Sequence, residues 1–288
     1  MKDRELIFTI SMHSSIDEPW GWMYDTHKKI SVYEAIIMAE RVFAFTGKGG
    51  VGKTSMSALT VRLLAERHPD KRVLAIDADP AIGLATALGV NVTQTVNDVR
   101  LQFIKDLQKP NKPSALEVMQ EAHYEVMDTV VDCGNFCFMA IGRPEGAGCY
   151  CSVNSFLKEI IAQLTDNFDY VVIDGEAGIE QVNRRVMETV TDLILISDSS
   201  KKGIDVIKTI KGVASSLDMY SRDYVVINRV RNEKVLELID LEGMKLAGFI
   251  PEDDDLELLD IRGESLVKLS KDSVTVKKMA EILAGMGC

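Results

Sequence analysis

No apolar run in this 288-residue chain is longer than a β-strand, so the sequence offers nothing built to span a bilayer. The opening residues Met1-Lys-Asp-Arg-Glu5 carry mixed charge and lack the apolar centre of an export signal. Internal repeats, low-complexity tracts and linkers rich in Pro, Gly or Ser are missing as well, which fits one large α/β body. Basic charge is in deficit: 33 Lys and Arg against 44 Asp and Glu leave a net charge of −11, which argues against a DNA-coating surface. His13 and His27 have no partners at metal-ligand spacing. Five cysteines without an export signal stay reduced, which favours metal or redox chemistry over disulfides. The expectation is a cytoplasmic protein with no membrane or nucleic-acid partner.

What is present is a phosphate-binding loop. Gly47-Lys-Gly-Gly-Val-Gly-Lys-Thr54 satisfies G-x-x-x-x-G-K-[ST], with a strand-like run before it and a helix-like stretch, 55–68, after it. Glycines let successive N–H groups turn inward toward phosphate oxygens, and the following helix adds the positive end of its dipole. Gly47, Lys48, Gly49, Gly50, Val51, Gly52, Lys53, Thr54 and Ser55 are therefore expected to wrap the phosphates. Within that set Lys53 reaches the β/γ-phosphates and the Thr54 hydroxyl holds Mg²⁺.

From Arg41 onward, strand and helix patterns alternate. Strands are expected over 41–46, 72–77, 136–141, 170–174, 193–197, 224–228 and 246–250, mostly as continuous Val/Ile/Leu/Phe runs. Helices are clearest over 55–68, 152–166, 182–190, 202–217 and 274–283. The pattern is that of a doubly wound, mostly parallel sheet with helices on both faces, its ligand beyond the carboxyl ends of the strands. Residues 1–40 stand outside the alternation and read as an N-terminal extension to a domain spanning 41–288.

Three further strand ends carry polar groups. Ile76-Asp-Ala-Asp-Pro80 offers carboxylates that orient water or reach Mg²⁺, since phosphoryl transfer is mostly positioning and charge stabilisation. Tyr170-Val-Val-Ile-Asp174 has the form of a Walker B strand, with Asp174 facing Mg²⁺. In the Gly175-Glu-Ala-Gly-Ile-Glu180 segment that follows, Gly178 is free to flip toward a γ-phosphate as a switch. Val225-Val-Ile-Asn-Arg229 places an amide where it can pair with a purine edge, and Arg231 stands where a guanine reader would carry an aspartate. That favours adenine, with Asn228 and Arg229 at the base.

Lys48, one residue after the first glycine, gives the loop a K-G-G-x-x-G-K-T form that resembles the deviant Walker A of the MinD/ParA/nitrogenase iron protein superfamily. The resemblance implies a homodimer sandwiching ATP, in which Lys48 crosses to the nucleotide of the other subunit. It also implies that Asp79, the aspartate before Pro80, activates the attacking water, with Asp77 in support near the Mg²⁺. Catalysis would then rest on Lys48, Lys53 and Asp79.

Gly146-Ala-Gly-Cys-Tyr-Cys-Ser152 lies ahead of a helix that Ser152 can cap, so the Cys149 and Cys151 sulfurs sit where a helix N-terminus lowers a thiol pKa. One Cys-x-Cys leaves a metal half-coordinated. Two subunits supply four thiolates, enough for Zn²⁺, Ni²⁺ or an Fe–S cluster. The string Gly148-Cys-Tyr-Cys-Ser-Val-Asn154 ahead of a Walker B is similar to the CooC/AcsF-type accessory ATPases that mature nickel enzymes, over about residues 41–285. Asp174–Glu180 and Val226–Asn232 match that group's pattern too. The resemblance implies an ATPase carrying nickel, or zinc, on Cys149 and Cys151 toward carbon monoxide dehydrogenase or acetyl-CoA synthase. The rival readings are an Fe–S reductase of the nitrogenase iron protein type, which lacks its second cysteine after Asp174, and a MinD/ParA-like spatial regulator. Cys137, inside an apolar strand, reads as an ordinary core residue, Cys133 is open to exposure with metal binding by the pair as the lesser reading, and Cys288 carries no assignment.

Overall fold

β1 (Arg41–Gly47), β2 (Val73–Asp77), β5 (Tyr170–Asp174) and β6 (Asp192–Ser197) are buried at every position, as strands covered on both faces must be. They lie at the centre of an eight-stranded sheet completed by β3 (Val131–Asp132), β4 (Cys137–Ala140), β7 (Arg222–Val230) and β8 (Leu246–Pro251). The computed structural model describes residues 39–108, 114–143, 159, 161–175 and 190–288, all within the compact unit Ile37–Cys288. The order is β3-β4-β2-β5-β1-β6-β7-β8, parallel throughout except for the β3–β4 pair. From β1 the chain crosses to β2 on one side, and it later runs out through β6, β7 and β8 on the other. The carboxyl end of β1 is thus the switch point where such sheets bind ligands.

Helices cover both faces. α1 (Lys53–Arg67), α2 (Gly83–Leu88) and α7 (Val274–Gly285) share one core cluster with Phe43, Phe45, Ala75, Val172 and Ile194. α5 (Lys201–Ser216) buries Ile204, Ile207 and Ile210 outside that cluster, against β6 and β1 from the other side. α3 (Val96–Leu107) and α4 (Ala115–Asp128) pair with each other around Val99, Phe103, Ala122 and Val126. α6 (Asp254–Arg262) follows β8 and buries none of its residues fully. No helix among the described residues is long and apolar enough to cross a membrane.

All seven expected strands form. β3, α2, α3, α4 and α6 were not foreseen, although two left a legible signal. α3 and α4 each begin with a capping box, Thr95 with Asp98 and Ser114 with Glu117, in which side chain and backbone satisfy each other's free amides. α6 hides in the acidic run Glu252–Asp255, which looks like a loop until Asp253 is seen to cap the helix and the left-handed Gly263 to end it. Residues 161–165 of the helix expected over 152–166 are helical. The helix expected over 182–190 lies outside the described residues except for Val190, and residues 1–38 of the extension lie outside them too.

The amino end of the sheet is locked by charge. Asp192 at the start of β6 is fully buried and takes a forked contact from Arg41, with Nε at 3.0 Å and a terminal nitrogen at 2.6 Å. Arg222 at 2.8 Å and the Thr191 hydroxyl at 2.6 Å fill the remaining positions on Asp192 Oδ2. Arg41 also donates to the Met286 carbonyl at 2.7 Å, fastening the last turn of α7 to β1.

Candidate nucleotide site

The phosphate loop joins β1 to α1 at the opposite end of the sheet. Gly47 has a positive φ of 148°, and a Cβ there would collide with the Ile196 carbonyl of β6, so only glycine lets β1 end so close to its neighbour. Gly52 is the left-handed N-cap of α1, with no side chain capping the helix, which leaves first-turn amides open to an anion. Val51 is buried in the core and anchors the loop, whereas Gly49 and Gly50 are exposed. Lys53 is mostly buried and its Nζ turns back to donate to the Lys48 carbonyl at 3.3 Å. Thr54 and Ser55 are half-buried in the first turn of α1.

β2 and β5 lie side by side with Asp77 opposite Asp174. Asp174 is almost fully buried. Its Oδ1 accepts from the Ser57 hydroxyl at 3.1 Å, while its Oδ2 is buried with no hydrogen-bond partner. Burial pushes its carboxyl up to about 6, assisted by the Asp79 charge and opposed by Thr54, Ser57 and Lys53. An unsatisfied buried carboxylate oxygen, on a group that also feels the Thr54 hydroxyl, is what a Mg²⁺ ion or its water could complete.

Asp77 is fully buried and its oxygens are taken up by backbone amides. Oδ1 accepts from Asp79 at 3.1 Å, and Oδ2 accepts from Leu84 at 2.8 Å and Ala85 at 3.3 Å. It thereby caps α2 from a distance, where the N-cap residue Ile82 is left-handed (φ 53°) and offers no side-chain cap. Burial and the neighbouring Asp174 raise its carboxyl to about 7. The sequence reading gave Asp77 a supporting place near Mg²⁺. The fold adds that it shapes the segment carrying Asp79, whose own Oδ1 accepts from the Ala81 amide at 2.9 Å.

Two contacts bring in residues from far along the chain. Lys48 pairs with Asp198 at 2.9 Å, and Asp198 also receives the Ser200 amide and hydroxyl ahead of α5. Asn228 is buried at the end of β7 and donates to the Val51 carbonyl at 2.7 Å, while its Oδ1 accepts from the Arg229 amide at 2.9 Å. Arg229 is exposed beside it. Asp198 and Ser57 were missed in the sequence. The signal for Asp198 was the same as for Asp174, a carboxylate closing an apolar strand.

Gly178, Cys149 and Cys151 lie outside the described residues. Cys133 packs on the core with Val131 and Phe136, while Cys137 is the register partner of Asp132 across the hairpin. Burial raises these two thiols to about 11 and about 12, far from thiolate character. Among the described residues no group of three or more His, Cys, Asp or Glu is placed to hold a metal ion.

The arrangement has counterparts among known proteins. A family model described as the CobQ/CobB/MinD/ParA nucleotide binding domain matches residues 42–267. An uncharacterized ATP-binding protein of Methanocaldococcus jannaschii is 36% identical over 246 residues, covering 84% of this chain and 96% of that protein. The carbon monoxide dehydrogenase accessory protein CooC of Rhodospirillum rubrum is 28% identical over 239 residues, covering 79% of this chain and 89% of that protein. The septum site-determining protein MinD of Pyrococcus horikoshii, solved with Mg-ADP, superposes with a TM-score of 0.60 at 20% identity, covering 86% of this chain and 98% of that one. At that identity the likeness speaks for the fold alone.

Proposed function

The chain belongs to the CobQ/CobB/MinD/ParA nucleotide-binding family and is an ATP-binding P-loop ATPase; from that premise we propose that it is an ATP-driven carrier of nickel. Cys149 and Cys151 from two subunits hold one soft divalent ion on the axis of a nucleotide-closed homodimer. Nickel is the cargo in first place, with zinc as the alternative. The client is a nickel enzyme of the carbon monoxide dehydrogenase/acetyl-CoA synthase kind. The observation that carries this reading is the Cys-x-Cys pair set between β4 and β5 of a P-loop ATPase, in a chain similar to a carbon monoxide dehydrogenase accessory protein.

In this reading the loop amides and Lys53 bind the β- and γ-phosphates, and Thr54 and Asp174 hold Mg²⁺, which neutralises charge on the phosphates when bound. Asp79 orients the water that displaces ADP from the γ-phosphoryl group, and Lys48 reaches the partner's nucleotide. Asn228 and Arg229 lie at the base, and Gly178 senses the γ-phosphate. The MinD-like alternative draws no support from α7, which spends Val276, Met279, Ile282 and Leu283 on the core.

Metal analysis of the purified protein tests the proposal. Wild type should bind about one Ni²⁺ per dimer, since four thiolates suffice for one site. The double variant C149S/C151S should lose it and still bind ATP. Undiminished nickel in that variant would reject the shared site, and stoichiometric iron with sulfide would favour the reductase reading.

A further inference from the structure

β7 meets the phosphate loop through one side chain. Asn228, 6% exposed, hands one amide hydrogen to the Val51 carbonyl at 2.7 Å and points its oxygen back at its own chain, to the Arg229 amide. The loop makes room for it. A Cβ on Gly52 would stand only 2.5 Å from Asn228 Nδ2, so the glycine is required by this contact as well as by its φ of 91°. The strand makes a concession too. Arg229 is held left-handed at φ 57°, and the β7–β8 register breaks between Ile227 and Val230. Left-handed non-glycine residues persist only where their surroundings demand them. Both irregularities fall at or next to Asn228, the residue whose amide reaches the loop.

We infer that Asn228 is a positioning residue for the phosphate loop, fixing Val51 and Gly52 before nucleotide arrives and linking that loop to the base through the second hydrogen of the same amide. The inference rests on the nucleotide-site reading above and adds a role to a residue assigned there to the base alone. An amide carries two N–H donors, so one group can serve the loop and a purine acceptor together. Because Gly52 caps α1 without a side chain, Asn228 adds an external hold, beside the burial of Val51, at the point where the loop becomes helix. A loop held in its binding shape loses less conformational entropy when phosphate binds.

Mg–tripolyphosphate, a triphosphate with no base, separates the two roles. Its affinity and that of Mg–ATP are measured by calorimetry for wild type, N228A and N228S, with melting curves confirming that each variant is folded. A loop-positioning role predicts that N228A weakens tripolyphosphate about tenfold, the scale of one buried hydrogen bond. KM for ATP should rise by more than kcat falls, a split that mere loosening of the fold would not produce. If N228A does not fold, N228S carries the same comparison. Wild-type affinity for tripolyphosphate beside weakened ATP, in either folded variant, would make Asn228 a base contact only and overturn the inference. A wild-type protein that bound neither ligand would instead overturn the nucleotide-site reading beneath it.

Discussion

Lys48 Nζ sits 2.9 Å from Asp198 Oδ2, an ion pair between the phosphate loop and the segment after β6 of the same chain. The Asp198 carboxyl is held below its usual range by hydrogen bonds from Ser200 and Lys48 and by the Lys48 charge, which together outweigh its partial burial. If Lys48 serves the partner's nucleotide, this pair competes with dimer closure. Both side chains are about a third exposed (31% and 33%), so the pair is worth at most about 1 kcal/mol. D198N keeps an acceptor for the Ser200 amide and releases the lysine. It should favour the ATP-bound dimer by up to about fivefold, measured by sedimentation at limiting protein concentration. An unchanged dimer constant would mean that Lys48 is not held back by Asp198.

Lys53 and Asp79 should separate binding from turnover. K53A removes an ammonium aimed into the loop and should weaken ATP binding by one to two orders of magnitude, roughly the worth of a charge-assisted contact. D79A should leave binding within a few-fold and lower kcat by about 10²–10⁴, because a water-orienting group matters mainly in the transition state. Equilibrium binding and single-turnover rates distinguish the two. A K53A protein with wild-type affinity and rate would move the site elsewhere.

The buried Asp77 makes stability depend on pH. Its folded pKa, raised by burial and by Asp174 to about 7, lies above the ordinary carboxylate value of 3.8, so between the two the folded chain holds a proton that the unfolded chain has released. Stability therefore declines as pH rises from about 4 to about 7 and is flat beyond, since the folded state binds more protons only inside that window. Melting curves of the nucleotide- and Mg²⁺-free protein should show this slope, and D77N should reduce it to the share left by Asp174, whose carboxyl is raised to about 6. D77A should cost roughly 1–3 kcal/mol by orphaning the amides of Asp79, Leu84 and Ala85. Parallel pH curves for wild type and D77N would contradict this account.

At the other end of the sheet, D192A should destabilise strongly without touching nucleotide chemistry. It leaves the Arg41 guanidinium buried and uncompensated, a change worth about 3–5 kcal/mol. For a domain of this size that corresponds to a fall in Tm of roughly 10 °C. ATP affinity measured well below Tm should stay near wild type, because Asp192 starts β6 while the phosphate loop lies past the end of β1. A small shift in Tm would show that the pair is replaceable by water.

The phosphate loop, the Walker B carboxylate and the seven expected strands were legible because each is a local property. Gly47 to Thr54 are contiguous, so their spacing alone dictates a loop that closes on phosphate. Strands buried on both faces leave continuous apolar runs that need no partner to be recognised. The sequence by itself thus determined the fold class and the end of the sheet where the ligand lies. The helices α3 and α4 were less visible because their apolar residues are interleaved with charge and pack mainly on each other, and α6 because it buries no residue fully.

Tertiary structure alone decided which distant groups meet. Lys48 and Asp198 are 150 residues apart, and Val51 and Asn228 are 177 apart. They touch because β6 and β7 follow β1 in the sheet, an order that no local pattern encodes. Asp77 reads in sequence like a metal-facing carboxylate; the fold adds that its Oδ2 accepts from two amides of a short helix whose own cap position is a left-handed isoleucine, and its Oδ1 from the Asp79 amide. Asp174 kept one oxygen free beside it. Residue type set what each carboxylate could do; the neighbours brought to it by strand order, and the amides they left unsatisfied, decided which of its oxygens are engaged.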